Sequence, residues 1–240
     1  MRRQPPSSAV NGCRQLIRLG DRDLPITLRR HRRARRIRLR LDPGGEAATV
    51  TLPLRMPESQ AFAFVSRSTD WLASQLARLP PRVRFAAGAT IPLLGAPHVI
   101  VADGSTHRVS VEGRMLRVGG AEAELPTRFT RWLRERARAE ISHRAGAKAR
   151  RLDRCLGRIS IRDPVSRWGS CSANGTLSFS WRLIMAPEHV LDYVVAHEVA
   201  HLRVSGHGTA FWATVGELTQ DVEAARLWLR HEGAGLFRYG

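Results

Sequence analysis

The chain is short of cysteine, nearly devoid of lysine and without a long apolar run, and each scarcity excludes something. Its three cysteines, Cys13, Cys155 and Cys171, are odd in number and widely spaced, which is not a disulfide framework. A reduced, cytoplasmic protein is the expectation. No stretch approaches the roughly 18 apolar residues that a membrane span needs. The opening MRRQPPSSAV has two arginines but no apolar segment behind them, so a secretory signal is not expected. Lysine is almost absent: of 39 basic residues, all but Lys148 are arginine. GC-rich coding alone would impose such a bias, so it does not by itself imply a polyanionic partner.

What is present is an ordinary globular balance, with 43% hydrophobic and 25% charged residues over 240 positions. That rules out global disorder. The net charge of +18 is unevenly placed. Residues 1–40 hold thirteen arginines against Asp21 and Asp23. Residues 128–158 hold ten arginines and Lys148 against Glu135, Glu140 and Asp153. These segments are candidates for weak, non-specific nucleic-acid binding, although charge runs are more often solvated faces.

Periodicity divides the chain into a basic tail over 1–25, a β-rich part with one helix over 26–125, and an α+β part over 126–240. In the second part, Ile37, Leu39 and Leu41 alternate with arginines. A turn at Asp42–Gly45 follows, and Val50, Leu52 and Leu54 complete a hairpin signal. A helix is predicted over 58–79 and short strands over 98–102, 108–111 and 115–118. In the third part, Pro126 opens a helix reaching about Arg150, strands follow at 158–162 and 176–181, and 166–172 reads as a loop. Pro187 opens the next helix, and a last helical stretch over 208–230 breaks near Asp221. No internal repeat is visible in the sequence.

The chemistry sits at His197-Glu-Val-Ala-His201 on the Pro187 helix. Histidines at i and i+4 share a face with Cβ atoms about 5–6 Å apart, which lets two imidazoles converge on one Zn²⁺. Glu198 is turned about 100° from His197, beside the metal's water rather than on the metal, where a general base belongs. A catalytic zinc wants a third protein ligand, and His207 is the candidate. On a continuous helix it would point away, so the helix must stop first, and Gly206 allows the turn. The third-ligand spacing equals that of metzincins, which carry glycine where Val204 stands here. With nine histidines and twelve glutamates, about 0.02 chance occurrences of the five-residue motif are expected.

From about Arg29 to Glu232 the chain resembles the YgjP-like family of bacterial zincin metallohydrolases, relatives of the SprT-like and WLM metalloproteases. The resemblance is carried by the arginine-rich first strand, Arg167-Trp168-Gly169-Ser170-Cys171-Ser172, the Thr176–Leu183 segment, Ala186-Pro187, Asp192–Val195, His197–Leu202, His207 and Phe211-Trp212. It implies a zincin-like α+β fold, one zinc held by His197, His201 and His207, Glu198 as catalytic base, and a sheet edge near Thr176–Ser180 lining the cleft. Members have been labelled both as metalloproteases and as nucleotide pyrophosphohydrolases.

Peptide hydrolysis is the first reading of the residues, nucleoside triphosphate pyrophosphohydrolysis the second, and a zinc-stabilised DNA-binding module a distant third. Against the second, there is no acidic cluster for Mg²⁺ and no phosphate-loop lysine. Its phosphate-gripping groups would be Arg167, Arg182 and the basic helix at 128–150. Against the third, structural zinc sites usually close all four positions, and Glu198 would have no role. Arg167, Trp168 and Tyr193 are the candidate substrate contacts. An ion pair for Arg167 and packing for the aromatics are the competing readings, and Cys171 reads as a small buried thiol.

Overall fold

A computed structural model describes residues 11–104 and 108–240. It divides into two compact units, Met1–Pro81 and Arg82–Gly240. This division falls at 81/82, whereas the sequence suggested boundaries at 25/26 and 125/126. The segment read as a tail is, from Asn11 onward, a hairpin of β1 (Asn11–Leu19) and β2 (Arg22–Arg30); residues 1–10 lie outside the described ones. Arginines interrupt the alternation there, but Ile17 and Leu19 still pack on the core formed by Leu24, Ile26 and Leu28.

In the first unit, β3 (Arg38–Leu41) and β4 (Ala48–Leu52) form the expected hairpin. The sheet order is β1-β2-β4-β3, with β2 and β4 parallel. One face is apolar and is covered by α1 (Glu58–Ser66) and α2 (Thr69–Ala77), through Ala61, Val65 and Leu72. The single helix expected over 58–79 breaks at Arg67–Ser68. There the Ser68 hydroxyl donates to the Phe64 carbonyl, 2.9 Å away, a local bond that competes with helix continuation.

The second unit opens with β5 (Thr90–Leu93), β6 (Ala96–Asp103), β7 (Val109–Glu112) and β8 (Met115–Gly119), in the order β5-β6-β8-β7. Again two hairpins are joined by a parallel inner pair, β6 and β8. The topology of the first sheet is thus repeated, although no repeat shows in the sequence. This sheet belongs with the following residues because Ile91, Ile100, Leu116 and Val118 share one core with α3 (Leu125–Arg151) and everything after it.

Helix α3 buries Phe129, Leu133, Ala137, Ile141, Ala145 and Lys148 along one stripe. Three- and four-residue steps keep that stripe on one face. Buried Lys148 donates to Asp192, 2.9 Å away, and to the Leu218 carbonyl, 2.7 Å away. Thr219 also donates to Asp192. Part of the basic run is therefore internal scaffolding: it ties α3 to α4 (Glu188–Ala200) and to the end of α5 (Thr209–Leu218). A chain turn at Thr219–Asp221 separates α5 from α6 (Val222–His231), the expected break.

Between α3 and α4 lie β9 (Ile159–Arg162), β10 (Gly169–Cys171) and β11 (Leu177–Ser180) in the order β10-β11-β9. This corrects two expectations. The 166–172 segment contains a strand, and β11 is central, so the sheet edge nearest the motif helix is β10. Sequence favoured a loop because β10 is three small residues with no apolar alternation.

Candidate metal centre and active site

The site rests on α4, which is apolar almost all round: Val190, Leu191, Val195, Ala196, Val199 and Ala200 are fully buried. Such a helix is fixed by packing on every side. It ends at Ala200, with His201 as C-cap. Gly206 then takes φ +87°, in the left-handed region. The expected helix stop and turn are both present, and they return His207 to the helix-borne pair.

The ligating atoms of His197, His201 and His207 all lie within 4.8 Å of one another. Nε2 of His197 and Nε2 of His207 are 3.2 Å apart. Tetrahedral coordination with bonds of about 2.0–2.1 Å sets ligand atoms roughly 3.3 Å apart, so this spacing fits two nitrogens on one ion. His201 Nδ1 lies 3.2 Å from the Val204 carbonyl; donation there would fix the tautomer and leave Nε2 free for a metal ion. Phe211, fully buried, stacks on His201 at 4.5 Å and meets His197 and His207 edge-on at 4.9 and 4.7 Å. Burial first, and then the neighbouring histidines, push His197 down to about 4. Burial also lowers His201. Both are neutral imidazoles at pH 7, the form that binds metal.

Glu198 is buried, and burial pushes its carboxyl up to about 7 against the opposing pull of Arg167. It lies against the backbone of β10: a Cβ on Gly169 would fall 2.6 Å from both Cγ and Oε1 of Glu198. A glycine in a strand often marks such a close approach, and this was the one sequence signal for the role of Gly169. A recess of about 180 Å³ is lined by Trp168, Gly169, Tyr193, Val194, His197, Glu198 and Leu229.

Of the candidate substrate contacts, Tyr193 and Trp168 line this recess. Tyr193 is buried, its phenol raised chiefly by burial, and its ring centroid is 6.0 Å from that of His197. Trp168 packs on Phe237 and against Gly233. Arg167 is exposed and acts on Glu198 through its charge. Cys171 is half-buried, its thiol raised by burial and by Glu198. Arg226, which sequence reasoning missed, sits 4.8 Å from the Trp212 ring centroid. Its charge reaches both Tyr193 and His197. Arg182 is engaged by Asp163 and by the carbonyls of Leu236 and Tyr239.

Three convergent imidazoles, a buried carboxylate one residue from the first of them and a strand edge alongside are the arrangement of a metallopeptidase. The chain belongs to the YgjP-like family: the pattern of the YgjP-like metallopeptidase domain matches residues 35–232. Among solved structures, the chain has a partial likeness to the crystal structure of the metallopeptidase zymogen of Pyrococcus abyssi abylysin. The identity is 22% and the TM-score 0.33, over 38% of this chain and 95% of that one. No curated protein matches. Among the described residues no helix is long and apolar enough to cross a membrane.

Proposed function

We propose that this protein is a zinc-dependent peptidase, with one zinc held by His197, His201 and His207 and with Glu198 as general base. The observation that carries the reading is the buried Glu198 carboxylate, which touches Gly169 of the edge strand β10 and lines one recess with His197 of the three-histidine cluster. Zinc bound there would supply an acidified water and polarise a carbonyl. Glu198 would take the proton of the attacking water and return it to the leaving nitrogen. A carboxyl raised toward neutrality by burial is suited to both transfers.

The edge favours an extended peptide. Ser180 N–H donates to the Trp168 carbonyl, and Ser172 N–H to the Thr176 carbonyl. Residues 168, 170 and 172 therefore turn toward β11, and the N–H and C=O groups of Gly169 and Cys171 face the open side. A substrate strand pairing with them would pass beside Glu198. Tyr193, kept as a neutral phenol, would donate to the carbonyl oxygen where charge develops. Trp168 would flank the substrate, and Arg167 would hold Glu198 in its ionised form between transfers. Nucleotide hydrolysis is less well served, since Arg182 is already taken up by Asp163 and two carbonyls.

The test incubates unfolded polypeptides and a panel of nucleoside triphosphates in parallel, with Glu198→Gln as blank. Cleavage of polypeptide that depends on Glu198 is expected. Glu198-dependent pyrophosphate release with every polypeptide intact would overturn the peptidase reading.

A further inference from the structure

The first unit carries a feature that the catalytic reading does not use. Its sheet buries Leu28, Val50 and Ala48 on one face. On the other face, the register places Arg29, Thr51 and Arg38 in one cross-strand row and Thr27, Thr49 and Arg40 in the next. Rows are two residues apart, roughly 6.6–6.8 Å along the strand, of the order of the separation of successive phosphates on one nucleic-acid strand. At the β3 edge the face runs into a recess of about 500 Å³ lined by His31, Arg33, Arg35, Arg36, Arg38 and Thr51. Among the described residues no acidic side chain is ion-paired with Arg33, Arg35, Arg36 or Arg38, all of which are exposed.

The fold does not require this arrangement. The second four-stranded sheet has the same topology. At its corresponding rows stand Val99, Met115 and Glu112, then Val101, Arg117 and Ser110, with Arg117 paired to Glu112 at 2.7 Å. Nor does the basic stretch at 128–158 match it. There Arg128, Arg144 and Lys148 are held by Glu124, Glu140, Glu188 and Asp192.

We propose that the arginine–threonine face of the first sheet, with the recess at its β3 edge, binds the phosphate backbone of duplex nucleic acid without sequence preference. Guanidinium forks and threonine hydroxyls are suited to phosphate oxygens. Among the described residues the face and its recess carry no Phe, Tyr or Trp on which an unpaired base would stack, and His31 is the one ring at the recess, which favours a duplex over a single strand. Among the described residues its apolar groups are the Leu16–Pro25 row and Ala34 at the recess, too little for insertion into a lipid surface. The inference is independent of the peptidase reading.

The test is fluorescence anisotropy of the full-length protein with two unrelated 20-base-pair duplexes at 50 and 200 mM salt. With about five phosphates engaged, the slope of log K against log salt is about −4.5, a loss of roughly 500-fold across that range. The triple variant Arg35→Gln/Arg36→Gln/Arg38→Gln should flatten the slope by about 2.7. The variant Arg131→Gln/Arg136→Gln/Arg150→Gln, with the same loss of charge on α3, should bind within about twofold of wild type. All six positions are exposed, so both variants retain the fold, as circular dichroism would verify. Equal weakening by the two triples would reduce the effect to net charge and overturn the site. So would the absence of duplex binding at 50 mM salt, tighter binding of a single strand than of the duplex, or binding to phosphatidylserine vesicles that outcompetes the duplex.

Discussion

The two four-stranded sheets share strand order and pairing yet serve different ends. In the first, the core is closed by two short helices and, among the described residues, is made of nine buried ones, from Leu24 to Leu72. In the second, the same arrangement opens onto α3, and its core runs without interruption through α4 to Leu236. The lesson is that the topology fixes only which face is apolar. What packs against that face, and what decorates the other, decides whether the sheet closes a small core of its own or joins the larger core that holds the three-histidine helix.

The sharpest way to break this comparison is to disable the chemistry alone. Glu198→Gln keeps the shape but cannot accept a proton, so turnover on a polypeptide should fall by about 10²–10⁴-fold with zinc content and thermal unfolding of both units retained. Steady-state kinetics and metal analysis on one preparation check this.

Next come the two cores. Leu28→Ala and Leu133→Ala each remove a fully buried leucine and should cost about 2–5 kcal/mol. Denaturant unfolding followed by zinc release should respond to Leu133→Ala and not to Leu28→Ala. An equal response would mean that the units unfold as one.

A smaller effect is expected at β10. Gly169→Ala forces a methyl into the space of Glu198, so the carboxylate must shift. We expect kcat to fall roughly 10–100-fold with zinc affinity unchanged, as misplacement of a catalytic group by about 1 Å commonly does. Full activity would show that Glu198 does not work from the position it holds here.

The smallest effect is in pH. In the metal-free protein, His197 is held at about 4 instead of 6.5, and its stabilising contribution, complete above 6.5, is lost as pH falls through 4. Glu198 acts in the opposite sense. Its folded value of about 7 instead of 4.5 makes stability fall as pH rises through that interval. The two oppose one another between 4.5 and 6.5, so the wild-type curve should be nearly flat there. Metal-free Glu198→Gln should grow more stable with rising pH over the same range, and chemical denaturation at several pH values reads the difference.

The site was more legible in sequence than the fold around it. His197, His201 and the Gly206 turn to His207 follow from helical geometry and the steric freedom of glycine, which are local. The α3 stripe from Phe129 to Ile141 was legible for the same reason. The sheet edge was not, because whether β10 or β11 is central depends on the parallel pairing of β11 with β9, a non-local fact. The repeated topology was hidden because one copy exposes arginine and threonine where the other exposes valine and methionine. Lys148 looked like part of a solvated charge run, and only the fold brings Asp192 to it.

The peptidase reading stands on three histidines, and no sulfur, holding the zinc beside Glu198. X-ray absorption at the zinc edge of the protein loaded with one equivalent of zinc tests it directly. Three imidazole nitrogens at about 2.0–2.1 Å, with oxygen completing the shell, are expected. A sulfur scatterer at about 2.3 Å, which would bring Cys171 onto the metal, or fewer than three imidazoles, would contradict it.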